Sequence, residues 1–243
     1  MTGGTALPGS GHLDDRQHRV RRSPLLFTAP VILLAALIAM TVWEITKGNL
    51  SQEVRLHWPW RITLLGQEAL GSLLAVALGF VFARAQYSRT VKPIIGWNGH
   101  VSVDAPGMNS KFVWVVGVRN GGMHSAVVES VDYHVQAAGQ QVPAAHVQWQ
   151  GYQATLTELE SLGLEIGKDF DLEPLGSGWP LSTDIDRKGM YAARFSIPAI
   201  SMLDNLYIRI RVTDAVGDTH ERIVHCLRGA EVEMRSAQAT DES

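Results

Sequence analysis

The residues of this chain that could carry out chemistry are few and widely spaced. Its single cysteine, Cys226, excludes a zinc site made of thiolates. His124 and His134 flank a predicted strand pair and could meet across it, although two separate surface imidazoles are the favoured interpretation. His220 and His225 are five residues apart, which places them on opposite faces of a strand, so they do not chelate one ion together. The chain has no Gly-x-Ser-x-Gly, phosphate-loop or dinucleotide motif.

The acidic and basic candidates are equally sparse. Asp184-x-Asp186 resembles the start of a calcium loop, but the glycine and the terminal acid of that motif are missing. Arg194 and Arg209 would favour a ligand sensor if they converged on an interior cavity. We therefore predict no catalytic residue, no metal and no cofactor, and we do not expect an enzyme. The net charge of −3 argues against nucleic acid as a partner of the whole chain.

Two apolar runs, at 25–43 and 62–82, dominate the N-terminal third of the chain. Each is about 20 residues long, which is the length of helix that crosses a bilayer core of about 30 Å. We predict a transmembrane hairpin over 23–89, with helices at about 24–45 and 62–86, and favour it over a buried core hairpin. The residues expected at the membrane interfaces are aromatic or basic. They are Trp43, Trp58, Trp60, Arg21, Arg22 and Arg84.

The basic residues around the two runs predict the orientation. Seven lysines or arginines flank the ends shared by the two termini, and three lie in the connecting loop. The positive-inside rule then places both termini and the domain that follows in the cytoplasm. We expect a two-pass protein of the cell membrane, with the lipid bilayer as its first partner.

The second run contains a face of small residues and one acid. Gly71, Ala75 and Gly79 recur every four residues and would let another helix approach closely. The favoured partner is the first helix, where Ala35 and Ala39 have the same spacing, and self-association with a second copy is the alternative. Glu68 is an intramembrane acid candidate, although a position in the headgroup layer is slightly favoured.

From residue 92 the pattern alternates with the period of two that is typical of strands. We predict a β-sandwich at 92–228 with a short helical insertion at 155–164, where Leu156, Leu159 and Leu162 share a face. The 112–118 stretch is apolar on both faces and predicts a central strand. The segments at 1–22 and 229–243 are predicted to be disordered tails.

Two pieces of this β region have a familiar pattern: 116–135, VGVRNGGMHSAVVESVDYHV, and 206–224, LYIRIRVTDAVGDTHERIV. They resemble turns of bacterial membrane-tethered immunoglobulin-like domains, with Asn120, Gly122 and Ala126 in the first and Asp214 and Gly217 in the second. An aromatic residue usual before the second turn is missing here. The resemblance covers about a third of the chain and implies an immunoglobulin-like sandwich fold but no activity.

The functional expectation follows from this architecture. We predict a membrane-anchored, non-enzymatic interaction module with an unidentified protein partner. The alternative is a ligand-sensing membrane effector whose β domain binds a small molecule and whose hairpin assembles. In architecture alone, that alternative resembles the two-helix β-barrel effectors of bacterial cyclic-nucleotide defence systems. A filled β-domain core would favour the module, and a cavity with convergent arginines would favour the sensor.

Overall fold

The computed structural model describes residues 13–51, 53, 66–140, 143, 146–181 and 190–241. Trp58, Trp60, Asp184 and Asp186 therefore lie outside the described residues. The chain divides into two compact units. One unit is Arg22–Lys92, and the other combines Met1–Arg21 with Pro93–Ser243.

The first unit consists of two long apolar helices, α1 (Pro24–Asn49) and α2 (Gln67–Thr90). The candidate spans within them are Thr28–Asn49 and Glu68–Thr90, with mean hydropathies of 1.9 and 1.6. Only 6% of each span is buried inside the protein, so most of this apolar surface needs a non-aqueous environment. Both helices are thus long and apolar enough to cross a membrane.

The contact between the helices uses larger side chains than the predicted small-residue face. Leu37 of α1, and Leu70 and Ala77 of α2, are the buried positions, while Leu34 and Leu74 are partly buried. On α2 these shielded positions follow a spacing of four and three residues, which is the spacing of a helix seam with interlocking side chains. We refer to them as the leucine seam.

Among the described residues, the predicted contact between the two small-residue faces is not made. Gly71, Ala75, Gly79, Ala35 and Ala39 are all exposed. A Cβ added at Gly71 or Gly79 would meet no atom within 4 Å. Each α2 small residue follows or precedes a seam position by one or two residues, and one residue turns a helix by about 100°. The small face therefore points away from the seam.

The second unit contains nine strands and three helices among its described residues. In chain order the strands are β1 (His18–Arg21), β2 (Ile95–Val103), β3 (Phe112–Asn120), β4 (Ala126–Ala137), β5 (Phe170–Leu172), β6 (Pro180–Leu181), β7 (Met190–Phe195), β8 (Leu203–Thr213) and β9 (Thr219–His225). The helices are α3 (Tyr152–Ser161), α4 (Ile197–Met202) and α5 (Ala230–Asp241).

These strands form two antiparallel sheets. The five-stranded sheet has the order β1-β9-β8-β4-β6, and the four-stranded sheet has the order β2-β3-β7-β5. Buried side chains of both sheets share one hydrophobic core, including Trp114, Val116 and Phe195 from the four-stranded sheet and Ile208 and Val224 from the five-stranded sheet. The β-rich domain is confirmed.

Strand β3 is central, as predicted from its two apolar faces. It lies between β2 and β7. Trp114, Val116 and Val118 face the main core, and Val113 and Val115 belong to a second small cluster on the other side. The helical insertion is also confirmed: α3 buries Leu159, and Gly163 after it adopts a φ of +85°.

The alternation in 126–135 predicts that Val127, Val131, Tyr133 and Val135 share one face of a strand, and strand β4 departs from that prediction. Val127 is 46% exposed, whereas its neighbour Val128 is buried, and Tyr133 and Val135 are buried as expected. The register against β8 shifts between Val128 and Ser130. A bulge of one residue exchanges the inner and outer faces of a strand, which explains why the prediction is correct only beyond this point.

Both predicted tails contain ordered secondary structure. His18–Arg21 forms β1, which pairs with β9 at the edge of the five-stranded sheet. The side chains of β1 are held by ion pairs rather than by burial: Arg19 lies 3.2 Å from Asp218, and Arg21 lies 3.4 Å from Glu129. The sequence HRVR therefore has no apolar alternation from which a strand could be predicted.

At the other terminus, α5 replaces the predicted loose tail over 230–241. Ala230 and Met234, four residues apart, are its buried side chains. Glu231 and Arg235 form an ion pair at the same spacing on the exposed side. The segment 230–241 is polar in its overall composition, so its narrow apolar stripe, which contacts the β domain, was not recognised from the sequence.

Candidate functional site

The outer face of the five-stranded sheet carries a cluster of stacked rings, which we call the ring stack: His134, Trp149, Tyr207 and His225. Tyr207 lies directly across from His134 on one side and from His225 on the other. Its ring is stacked 5.9 Å from His134 and edge-on at 4.9 Å to His225. Trp149 lies 6.3 Å from His134. Cross-strand aromatic pairs of this kind rigidify a sheet surface.

Tyr207 is the centre of the ring stack. Its position between the apolar residues Leu206 and Ile208 of an alternating strand predicts that it faces solvent. It is on the outer face, but its neighbours leave it only 3% exposed. Burial raises the pKa of Tyr207, so its hydroxyl stays protonated and donates a hydrogen bond of 3.1 Å to Gln136. The alternating pattern identified the correct face but not the covering side chains, which come from other strands.

Arg209 borders the ring stack and is fully engaged there. Its Nε and Nη2 donate to the same carboxylate oxygen of Asp132, at 3.1 and 2.8 Å. The guanidinium also lies 4.6 Å from the centre of the Trp149 ring, a cation–π distance. A side chain held by a carboxylate and an aromatic face has limited freedom to bind an anion.

Arg194 is held in a similar way on the other sheet. Its Nη1 lies 3.5 Å from Asp171 and donates to the carbonyl of Pro106, and its guanidinium lies 3.6 Å from the centre of the Tyr191 ring. Arg194 and Arg209 thus belong to different sheets, and each pairs with an aspartate of its own sheet. The structure does not bring these two arginines together.

A cleft of about 450 Å³ adjoins the ring stack at His225. Its polar lining includes Asp204, Asn205 and Arg228, together with Asp15 from the N-terminal segment. Asp15 and Arg228 form an ion pair of 3.1 Å across it. Volumes of this order are common among small-molecule sites. Neither arginine that the sequence suggested as a ligand contact lines the cleft.

The four candidate histidines lie in three different surroundings. His134 belongs to the ring stack, whereas the carbonyl of His124 accepts a hydrogen bond from Asn120 in the loop before β4. His220 and His225 lie on opposite faces of β9, as predicted: His220 pairs with core-facing Val212, and His225 faces the ring stack. Within the described parts of the chain, no three His, Cys, Asp or Glu side chains are placed to hold a metal ion.

Asp214 and His220 form a buried pair that the sequence analysis missed. His220 Nε2 lies 3.0 Å from Asp214 Oδ2, with side-chain exposures of 3% and 1%. The other oxygen of Asp214 accepts the backbone N–H groups of Val216 and Asp218, both at 2.9 Å. This geometry braces the turn between β8 and β9. The signal was an acid before a glycine turn with a histidine six residues later.

The electrostatics of this pair follow from its surroundings. Burial alone would raise the pKa of the Asp214 carboxyl, but the hydrogen bonds from His220 and from the backbone N–H groups of Asp218 and Val216 outweigh it. The pKa of Asp214 is therefore lowered, and the carboxyl is charged at neutral pH.

The residues predicted to lie in or near the membrane differ in their burial and secondary structure. Glu68 is exposed in the first turn of α2, where a carboxylate interacts favourably with the helix dipole. Trp43 and Arg84 are partly buried on α1 and α2, and Arg22 follows β1. Arg21, in contrast, is a residue of strand β1 and forms an ion pair with Glu129, so it does not belong to a disordered tail.

Comparison of the chain with models of known protein families gave no match, and comparison with curated proteins gave none either. The fold alone therefore defines the class. The chain has two helices apolar enough to span a membrane and a β-rich domain of two antiparallel sheets.

Proposed function

We propose that this chain is a membrane-anchored, non-enzymatic interaction module. One observation carries the proposal: among the described residues, large buried side chains occupy the space between the two sheets. Tyr133, Phe170 and Phe195 are among the largest of these, and each is at most 1% exposed. A filled interior favours recognition by the outer surface over capture of a small molecule inside the domain.

The most suitable recognition surface is the ring stack. Rigid aromatic side chains lose little conformational entropy on binding, and they are enriched where partner proteins bind most strongly. Trp149 and His134 remain partly exposed there, and the His134 ring contacts both Trp149 and the buried Tyr207. The partner is then a protein that covers this face of the five-stranded sheet.

Site-specific photo-crosslinking in native membranes tests this proposal. A photoreactive amino acid replaces His134 in the ring stack, and a matched variant carries it at Val232, which is 69% exposed on α5. We expect a discrete cross-linked protein from position 134 that is not obtained from position 232. Equal cross-linking from both positions, or none from 134, would contradict the module.

The immunoglobulin-like assignment is part of the same proposal, and the strand order supports it. The orders β2-β3-β7-β5 and β9-β8-β4 correspond to A-B-E-D and G-F-C of an immunoglobulin sandwich. Two features depart from that pattern: β6 pairs with β4 but follows β5 in the chain, and β1 extends the sheet beyond β9. An experimental structure in which β7 did not lie between β3 and β5 would remove this support.

We also propose that both termini and the β domain are cytoplasmic, because the basic residues flank the shared end of the hairpin. Single cysteines at Asn49 and Ser236, in a Cys226→Ser background, can be labelled on intact cells with an impermeant thiol reagent. We expect labelling at 49 and not at 236. The reverse pattern would invert the orientation without affecting the two-span architecture.

The ligand-sensing effector stays a second candidate because of the cleft beside His225 and the open face of Gly71, Ala75 and Gly79. A panel of nucleotides, including cyclic ones, would be tested for a rise in the Tm of the purified protein. The sensor predicts a rise that Arg228→Ala abolishes and that accompanies oligomer formation. No rise with any ligand leaves the module as the better explanation.

A further inference from the structure

One end of the β domain gathers both of its connections to the helical hairpin. Strand pairing links Arg21 to Thr219, Thr213 to Val127, and Ala126 to Leu181 across the five-stranded sheet. Asn120 and Ile94 adjoin Leu181 at the same end through hydrogen bonds. We call this region the hairpin end, because the chain leaves it after Arg21 and returns to it at Ile94.

Short segments of chain connect the hairpin end to the two helices. Arg21 precedes the first residue of α1, Pro24, by three positions. Three residues span at most about 11 Å when fully extended. Ile94 follows the last residue of α2, Thr90, by four positions, which limits that connection to about 14 Å.

Asn120 gives the hairpin end a fixed shape. Its side-chain oxygen accepts the N–H groups of Ile94 and Gly122, at 3.1 and 2.9 Å. Its amide nitrogen donates to the carbonyls of His124 and Leu181, at 2.8 and 3.3 Å. These four bonds use the donors and acceptors of the amide, which is 4% exposed, and they tie the loop at 121–125 to Ile94.

Apolar side chains project from this rigid frame into the surroundings. Met123, in the loop, is 82% exposed, and Ile94 is 58% exposed. Val127 and Val20 on the adjoining strands are 46% and 49% exposed. Single exposed apolar residues are ordinary on a protein surface, but several together at one end indicate a contact with an apolar partner.

The charges at the hairpin end favour an anionic partner. Its carboxylates are already engaged: Asp214 by His220, Asp218 by Arg19, and Glu129 by Arg21 and the hydroxyls of two threonines. The side chain of Arg21 is nevertheless 67% exposed, and Arg119, beside Asn120, is also exposed. In both arginine ion pairs described at this end, Arg19–Asp218 and Arg21–Glu129, the arginine is the more exposed partner.

We propose that the hairpin end is a lipid-contact surface, in which Met123 and Ile94 enter the boundary between headgroups and acyl chains of a bilayer containing anionic lipid. Exposed apolar tips beside outward-facing arginines fit such a boundary. The lipid bilayer is the occupant because a helix that spans it must begin within three residues of this surface. The proposal rests on the membrane anchoring proposed above, and it goes beyond it by assigning the β domain a contact of its own.

Depth-dependent fluorescence quenching in the full-length protein tests the proposal. An environment-sensitive dye is attached to a single cysteine at Met123, in the Cys226→Ser background, and the protein is placed in nanodiscs of zwitterionic and anionic phospholipid. Spin-labelled lipids are then introduced in separate samples, with the quencher near the headgroups in one and along the acyl chains in the other, because Val76 lies deep within the candidate span. Matched dye positions are Val232 on α5, which is 69% exposed, and Val76 on α2, which is 71% exposed.

We expect dye at Met123 to be quenched several-fold more than dye at Val232, and the difference to shrink when anionic lipid is omitted. Quenching at Val76 but none at Met123 beyond that at Val232 would overturn the lipid-contact surface and leave the anchoring intact. The lack of quenching at Val76 would refute the anchoring itself. Cross-linking of Met123 to Met123 of a second copy, without lipid quenching, would assign this surface to self-association and overturn the proposal.

Discussion

Gly99 of β2 packs directly against the Trp114 ring of β3. Trp114 is 3% exposed, and its indole N–H donates a hydrogen bond of 2.7 Å to the carbonyl of Cys226, which lies just beyond β9. The ring therefore connects the two sheets. A Cβ added at Gly99 would lie 1.9 Å from Cζ2 of this ring and 2.6 Å from two further ring atoms. Such distances cannot be accommodated unless the ring or the strand moves.

The expected magnitudes follow from these contacts. Trp114→Ala leaves a large cavity and a buried carbonyl without its donor, so it should cost roughly 3–5 kcal/mol. Gly99→Ala should cost roughly 1–3 kcal/mol through overpacking. In a Trp114→Leu background the obstructing ring is gone, and alanine suits a strand better than glycine does. Gly99→Ala should then be nearly neutral, which gives a coupling of roughly 1–3 kcal/mol.

Thermal unfolding of the full-length protein in nanodiscs, followed by circular dichroism, measures these effects. The full chain is needed because β1 precedes the hairpin. Trp114→Ala should lower Tm by roughly 6–20 °C. Gly96→Ala, on the same strand, is the matched control, since its Cβ would meet the nearest atom of Arg119 at 3.5 Å, which is an ordinary van der Waals contact. Equal costs for the two glycine variants, or no coupling between Gly99 and Trp114, would refute this packing.

Three further predictions concern the leucine seam, the turn between β8 and β9, and the hydrogen bonds of Asn120 that hold the loop at 121–125. Ala77→Leu should reduce the folded yield, as judged by size exclusion, because Ala77 lies in the seam, whereas Gly79→Leu should not. The pKa of Asp214 is lowered in the folded chain, so at pH values between this pKa and the ordinary value near 4 the folded chain binds fewer protons than the unfolded chain. The free energy of unfolding should therefore fall as the pH falls below about 4. Asp214→Asn, which also weakens the bond to His220, should flatten that loss in thermal melts at pH 3–6. Asn120→Ala should lower the free energy of unfolding by roughly 2–4 kcal/mol, because it removes the hydrogen bonds of the buried amide. A neutral result would show that these hydrogen bonds do not stabilise the domain.

The parts of the fold that the sequence predicted are those with strong local periodicity. The 112–118 stretch is apolar on both faces, and it is a central strand because only burial on both sides stabilises such a sequence. In 206–212, alternate residues are buried at every apolar position. Gly163 and the turn at 214–218 were recognisable because few residues suit their backbone geometry. These signals depend on neighbours in sequence.

The parts that were missed depend on neighbours in space. The bulge after Val128 changes which side of β4 is buried, and no residue type in 126–130 requires it. In the hairpin, Gly71 and Gly79 met the spacing rule for close helix contact, but Leu70 and Ala77 on an adjacent face form the contact within the chain. Both faces satisfy a helical period, so periodicity alone could not choose between them. The ring stack likewise assembles from three separate strands and a loop.

The pairing of β1 with β9 constrains the whole architecture. β1 ends at Arg21, before the helices, whereas β9 begins at Thr219, after them. Gln17 strengthens this closure, since its side chain donates to the carbonyl of Pro93 at 2.7 Å and accepts the N–H of Ile95 at 2.8 Å. Both ends of the hairpin must therefore be on the same side of any membrane. Two helices satisfy that requirement if both cross or if neither does, so a single crossing is incompatible with the folded β domain.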